Sequence, residues 1–298
     1  MITRRLFSAA TGSVFFGAGL AGRASLARSD GGSSAKLAGD FAKLEADSGG
    51  RLGVAVVDTS SGVRVGHRLD ERFLMCSTFK LLATAAVLAR VDAGKEQLDR
   101  RIRFTSNDIV SYSPATKDRV GGTGMSLAEL CEATMILSDN TAANLMLATF
   151  GGPAGLTAYV RSLGDTVTRL DRYEPQLNDP DNVLDTTSPA AMAANIRTLI
   201  LGTALSETSR QQLTTWMVGN KTGDTRLRAG LPKDWRIGEK TGAGTGTSND
   251  AGLAWPPGRG PIIMAVYLTG TAASVERQHA TIAGVGRAIA ATLEPAGR

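Results

Sequence analysis

The sequence predicts an α+β protein of two lobes. An all-helical block is inserted between the N- and C-terminal parts of an antiparallel five-stranded sheet flanked by helices. Three observations carry this. Strand-like apolar runs stand only near the two ends of the chain. Residues 77–215 between them carry apolar positions at helical spacing almost throughout. The chain has 298 residues, 42% of them hydrophobic, enough for one large core or for two lobes.

The elements follow in order. Thr3-Arg4-Arg5-Leu6-Phe7-Ser8 is a charged twin-arginine start, Val14–Leu20 an apolar stretch, and Ser25-Leu26-Ala27 a small-residue cleavage site. Residues 1–27 therefore read as an export signal of the twin-arginine type, with a Sec leader as the plainer alternative. Residues 28–298 would be a single catalytic domain, periplasmic or secreted, with no stable membrane association after cleavage. Lys36–Asp47 has helical spacing. Leu52–Val57 reads as a strand, turned by Ser60-Ser61-Gly62 and returned by Val63–Val65. The helical lobe is expected over about 69–218 and the α/β lobe over about 36–68 plus 219–298. Within the helical lobe, Ser126 with Glu129 forms a capping box, and Ser188-Pro189 opens another helix. Trp235–Glu239, Ala251–Trp255 and Ile262–Leu268 supply the remaining strands, and Ser274–Thr292 a closing helix.

Charge narrows the partners. The chain carries 33 basic and 28 acidic residues, a net +5, and losing the leader's Arg4, Arg5 and Arg23 leaves +2. No Lys/Arg run remains to track a phosphate backbone, so no nucleic acid is expected. His67, His279, Cys76 and Cys131 show no metal-ligand spacing, and no metal or cofactor is expected. Neither histidine lies in a motif setting, so a Lys or a carboxylate must move any catalytic proton.

Four short motifs stand in fixed order: Ser77-Thr78-Phe79-Lys80, Ser138-Asp139-Asn140, Glu174-Pro175-Gln176-Leu177-Asn178 and Lys240-Thr241-Gly242. Singly they are weak. Ser77 also reads as a helix N-cap, Asp139 and Asn140 as capping residues, and Glu174 as a surface acid. Ser33–Lys36 and Lys221-Thr222-Gly223 repeat two of the strings. Setting separates the copies. Ser77 meets the apolar helix 79–91, and a spacing of three puts Lys80 on its face. The helix start favours developing negative charge by about 0.3–1 kcal/mol. Lys240-Thr241-Gly242 follows an alternating strand, whereas Lys221 follows a helix end.

Ser-x-x-Lys, Ser-Asp-Asn and Lys-Thr-Gly in this order closely resemble the signature of class A β-lactamases and penicillin-binding proteins. Glu174 makes the resemblance that of a class A β-lactamase, over roughly residues 36–292. The resemblance implies a β-lactamase/transpeptidase-like fold and a monomeric enzyme acting on small β-lactams. Ser77 matches the nucleophile, Lys80 its partner, Ser138 the donor to the leaving nitrogen and Glu174 the general base. Asn178 matches a water ligand, and Asn140, Lys240, Thr241 and Gly242 substrate contacts. Ser77 and Ala243 match the oxyanion-hole residues, and Tyr112 the cleft rim. A lysine of ordinary pKa needs a shift worth roughly 4–5 kcal/mol to act as a base near pH 7, whereas a glutamate is already ionised.

The sequence also departs from the family pattern. The loop from Arg172 to Asp185 is somewhat short. Thr247, Ser248 and Asn249 stand where many members carry an arginine, and Arg226 is its substitute, with a solvated arginine as the plain alternative. Where some members carry a partner cysteine, the resemblance places Gly244 for Cys76 and about Thr84 for Cys131, so two free thiols are expected. The competing functions are a D-alanyl-D-alanine peptidase, which would not need Glu174, and a catalytically silent β-lactam sensor.

Overall fold

The computed structural model describes residues 26–180 and 183–293. The leader expected over residues 1–27 lies, but for its last two residues, outside the described residues. Helix α1 (Leu26–Ser48) starts well before Lys36, running through Gly31-Gly32-Ser33-Ser34. It leads into the hairpin β1 (Arg51–Asp58) and β2 (Arg64–His67).

The helical lobe holds β3 (Phe73–Leu74), α2 (Phe79–Asp92), β4 (Arg101–Ile102), β5 (Met125–Ser126), α3 (Leu127–Ile136), α4 (Asn140–Ala148), α5 (Gly152–Ser162), β6 (Thr186–Thr187), α6 (Pro189–Ile200) and α7 (Glu207–Val218). It is less helical than the sequence suggests. The ladders β3–β6 and β4–β5 interrupt it. So does the stretch between α2 and β5, rich in Gly, Ser, Asn and Asp, which favour turns. The chain returns through α8 (Leu227–Gly230), β7 (Arg236–Gly244), β8 (Thr247–Trp255) and β9 (Ile262–Thr269) to α9 (Val275–Leu293).

The five long strands form one antiparallel sheet in the order β2-β1-β9-β8-β7. Its two faces bury two cores by strict alternation. Ile263, Ala265 and Tyr267 join the helical lobe, while Ile262, Met264, Val266 and Leu268 pack beneath α1 and α9. β7 is an edge strand, and it runs further than expected. Lys240-Thr241-Gly242 lies inside β7, not after it, paired as Lys240↔Ala251 and Thr241↔Asp250. Gly242 and Gly244 are ladder residues at the edge of a cleft.

Helix α2 is buried from Phe79 to Leu88, which is what an apolar surface on all sides demands. Lys80 sits within that run at 0% exposure, so its ammonium must find partners inside the protein. The caps fall where their residue types place them. Ser126 and Glu129 form a reciprocal box on α3, Asp139 caps α4, and Ser188 caps α6 ahead of Pro189. Each such cap is worth about 1 kcal/mol.

Candidate active site

The turn Cys76–Thr78 delivers Ser77 to the start of α2, with Cys76 bent to φ +43°. Strand β7 lies directly against this turn. A Cβ at Gly242 would stand 2.7 Å from the Met75 carbonyl, so only glycine lets the strand approach. Asn249 on β8 fastens the same segment, its Nδ2 donating to the carbonyls of Leu74 (2.9 Å) and Met75 (3.0 Å).

The Ser77 hydroxyl donates to Glu174 Oε1 across 3.3 Å. That same oxygen pairs with Lys80 Nζ at 3.1 Å, both side chains being wholly buried. Lys80 also donates to Ser138 O (2.8 Å), Asn140 Oδ1 (2.6 Å) and Ser138 Oγ (3.3 Å). Burial pushes the Lys80 pKa down, and the Glu174 charge offsets part of that. The ammonium can therefore give up a proton more readily than a surface lysine.

Ser138 occupies the left-handed region at φ +61°, a conformation held only by its surroundings. The Asp139 carboxylate holds it there. Asp139 accepts from Ala142 N (2.8 Å) to cap α4, and from Ala115 N (2.9 Å) and Thr116 N (3.0 Å) to tie down the neighbouring loop. Asn140 does likewise, its Nδ2 donating to Ser111 O (2.9 Å) and its N–H to Tyr112 O (3.0 Å). Tyr112 itself stands exposed at the rim. The Ser138 hydroxyl is thus set between two ammonium groups, Lys80 and Lys240, the latter 3.0 Å away.

Glu174 is held at both ends. Asn178 Nδ2 donates to Oε2 (2.6 Å). Asn144 clasps its backbone, accepting from Glu174 N (2.9 Å) and donating to Glu174 O (2.9 Å). The segment is closed by Arg172 Nε on Asp185 Oδ2 at 2.5 Å.

Opposite, Lys240 is fully buried and also donates to Thr241 O (3.0 Å). Burial first, then the charges of Lys80 and Arg226, push its pKa well below the lysine range. Arg226, just ahead of α8, donates from Nη1 to Gly242 O (3.0 Å) and Asn249 O (2.8 Å). Glu174 pairs with Lys80, while Lys240 and Arg226 stand on the β7 side of the cleft, which favours an anionic ligand there.

Ser77, Ser138, Asn140, Thr241, Gly242 and Ala243 line a cleft of about 330 Å³, bounded by Tyr112, Asn178, Thr222 and Arg226. A larger groove, about 820 Å³, lies between β1, β2 and α6, away from these groups. The smaller cleft holds the chemistry, because only there do a nucleophile, a base and acid groups converge. The structure brings all twelve residues singled out in the sequence into or beneath this cleft. Of the repeated strings, Lys36 pairs with Asp40 on the surface and Lys221 is exposed. Sequence reasoning missed Asn144, Asn249 and Thr222, none of which lies in a motif it weighed as functional. Both cysteines are buried and unpaired, as expected.

Comparison with known proteins agrees with this arrangement. The profile of the Beta-lactamase enzyme family matches residues 36–293. The chain is 49% identical over 257 residues to Beta-lactamase FAR-1 of Nocardia farcinica, covering 85% of this chain and 82% of that one. It is 46% identical over 252 residues to Beta-lactamase CTX-M-8 of Citrobacter amalonaticus, covering 84% and 86%. Among solved structures, an ancestral class A β-lactamase is 61% identical with a TM-score of 0.83, over 85% of this chain and 98% of that one.

Proposed function

The chain belongs to the class A β-lactamase family and is a serine hydrolase of β-lactams, and we propose that it works through an acyl-enzyme on Ser77 that Glu174 clears. Ser77 Oγ attacks the lactam carbonyl and passes its proton into the Glu174–Lys80 pair. The tetrahedral oxyanion forms against the backbone N–H groups of Ser77 and Ala243, each such donor being worth about 2.7–4 kcal/mol. Ser138 gives its proton to the departing lactam nitrogen and takes one back from Lys80, which draws on the proton first taken from Ser77, so that Glu174 is a carboxylate again. Glu174, helped by Asn178, then takes a proton from water, which attacks the ester and frees Ser77. The substrate carboxylate sits against Lys240, Thr241 and Arg226, whose two cationic groups favour it.

The observation that carries this reading is the shared contact of Glu174 Oε1 with Ser77 Oγ (3.3 Å) and Lys80 Nζ (3.1 Å). A penicillin-binding peptidase, which holds penicillin as a long-lived acyl-enzyme, would not need a carboxylate there. Twin-arginine export, with mature residues 28–298 acting as a monomeric single domain in the periplasm or outside the cell, completes the proposal. The Arg4-Arg5 leader supports it. Among the described residues, no helix is long and apolar enough to cross a membrane. The test mixes purified mature protein with a chromogenic cephalosporin while intact mass is followed. Fast multiple turnover is expected. A long-lived adduct on Ser77, or no adduct and no turnover, would overturn the reading.

A further inference from the structure

The second Lys-Thr-Gly string, Lys221-Thr222-Gly223, is not the catalytic copy, yet it lies behind it. Thr222 Oγ1 stands 2.5 Å from Thr241 Oγ1. Gly223 meets the strand so closely that a Cβ there would fall 1.7 Å from Glu239 Oε1. Thr222 is anchored from the other side by the buried Asn220. Asn220 Oδ1 accepts both Thr222 N (3.0 Å) and Thr222 Oγ1 (2.8 Å). Two donors on one atom fix the amide's orientation, leaving Asn220 Nδ2 buried and without a hydrogen-bond partner in the described structure.

A proton count follows. Each threonine hydroxyl has one hydrogen to give. With Thr222 donating to Asn220, the 2.5 Å contact is made by the Thr241 hydrogen. Thr241 then shows only lone pairs to the cleft, the wrong polarity for a carboxylate. The chain can reverse without unpairing any further buried group. Thr222 swings its hydrogen onto Thr241 Oγ1, Thr241 turns its own toward the cleft, and Asn220 Oδ1 keeps Thr222 N.

We propose that Thr222 is a positioning residue for substrate carboxylate recognition, acting through a reversible hydroxyl relay, Asn220–Thr222–Thr241. It rests on the reading that Thr241 receives the carboxylate. The relay aims the Thr241 hydroxyl and, once reversed, donates to it, which strengthens its donation in turn.

The test compares benzylpenicillin with its methyl ester in wild type, Thr222→Val and Thr222→Ser. Wild type is expected to prefer the acid. Thr222→Val keeps shape and loses the hydroxyl. It should raise KM for the acid by about three- to tenfold, the scale of one hydrogen bond, with kcat changed less than about twofold and the ester unaffected. Thr222→Ser should restore the acid KM, and equal melting temperatures exclude a folding effect. If wild type prefers the acid but Thr222→Val matches it, or loses acid and ester alike, the relay is wrong and the carboxylate reading stands. If wild type does not discriminate, both fall.

Discussion

Replacing Asp185 with asparagine should loosen the segment that carries Glu174, and the structure sets the size of the effect. The Asp185 carboxylate is fully buried and accepts three hydrogens: Asp171 N (2.7 Å), Arg172 N (3.0 Å) and Arg172 Nε (2.5 Å). Asparagine can still accept the two backbone donors through Oδ1, but its amide N–H₂ then faces the guanidinium. Breaking a fully buried ion pair costs about 3–5 kcal/mol. Arg172 retains 26% exposure and can regain water, which brings the cost below that range, to about 2–3 kcal/mol. In a domain of this size each kcal/mol lowers the melting temperature by about 2–4 °C, giving a fall of about 5–10 °C. The damage falls on deacylation, because Glu174 hangs on the same segment while Ser77 and Lys80 do not. Asp185→Asn should therefore accumulate acyl-enzyme in the steady state, with kcat down about tenfold or more. Thermal melts and rapid-quench intact mass give both readouts. A lower melting temperature with an unchanged acylated fraction would refute the link between the ion pair and the base.

Other consequences follow from single contacts. Arg226→Ala removes two charge-assisted bonds to the carbonyls of Gly242 and Asn249. The KM for carboxylate-bearing substrates should rise about ten- to a hundredfold, and unchanged steady-state kinetics would make the arginine a bystander. Cys76 and Cys131 are buried and unpaired, and burial pushes the Cys76 thiol up to about 12. A thiol reagent at pH 8 should find neither in the native protein and both after unfolding without reductant; finding none would mean a disulfide. Glu45 meets desolvation that would raise its pKa, but hydrogen bonds from Arg68, His67 and Leu52 N outweigh it and bring it to about 2. Its folded value lies below the unfolded 4.5, so its contribution is present above about pH 4.5 and lost toward pH 2. Urea unfolding between pH 6 and 3 should show wild type losing more stability than Glu45→Gln; parallel losses would contradict this.

The catalytic groups were legible because their chemistry sits in short strings whose local setting could be judged. Ser77–Lys80 marks a helix start and Ser138–Asn140 a helix cap, and both settings depend on neighbours in sequence. What escaped depends on distant contacts. Asn144 acts on Glu174 thirty residues on, and Asn249 on Met75 from 174 residues away. Nothing local distinguishes either asparagine. The end of β7 was misread because Gly242 and Gly244 have low strand propensity, while pairing with β8 and close approach to the Ser77 turn decide the matter. Likewise helical spacing was read only from Lys36, yet α1 runs back through Gly31-Gly32-Ser33-Ser34. Judging Lys221-Thr222-Gly223 by its lysine alone hid the threonine, whose place behind Thr241 only the packing of the β7 edge reveals.

Whether Glu174 clears the acyl-enzyme is tested most directly by intact-mass measurement of Glu174→Ala mixed with benzylpenicillin. The account predicts a persistent adduct of one intact penicillin on Ser77, with turnover down about 10²–10⁴-fold, the usual worth of a general base. Wild-type turnover with no adduct, or an adduct mapping to another residue, would contradict it.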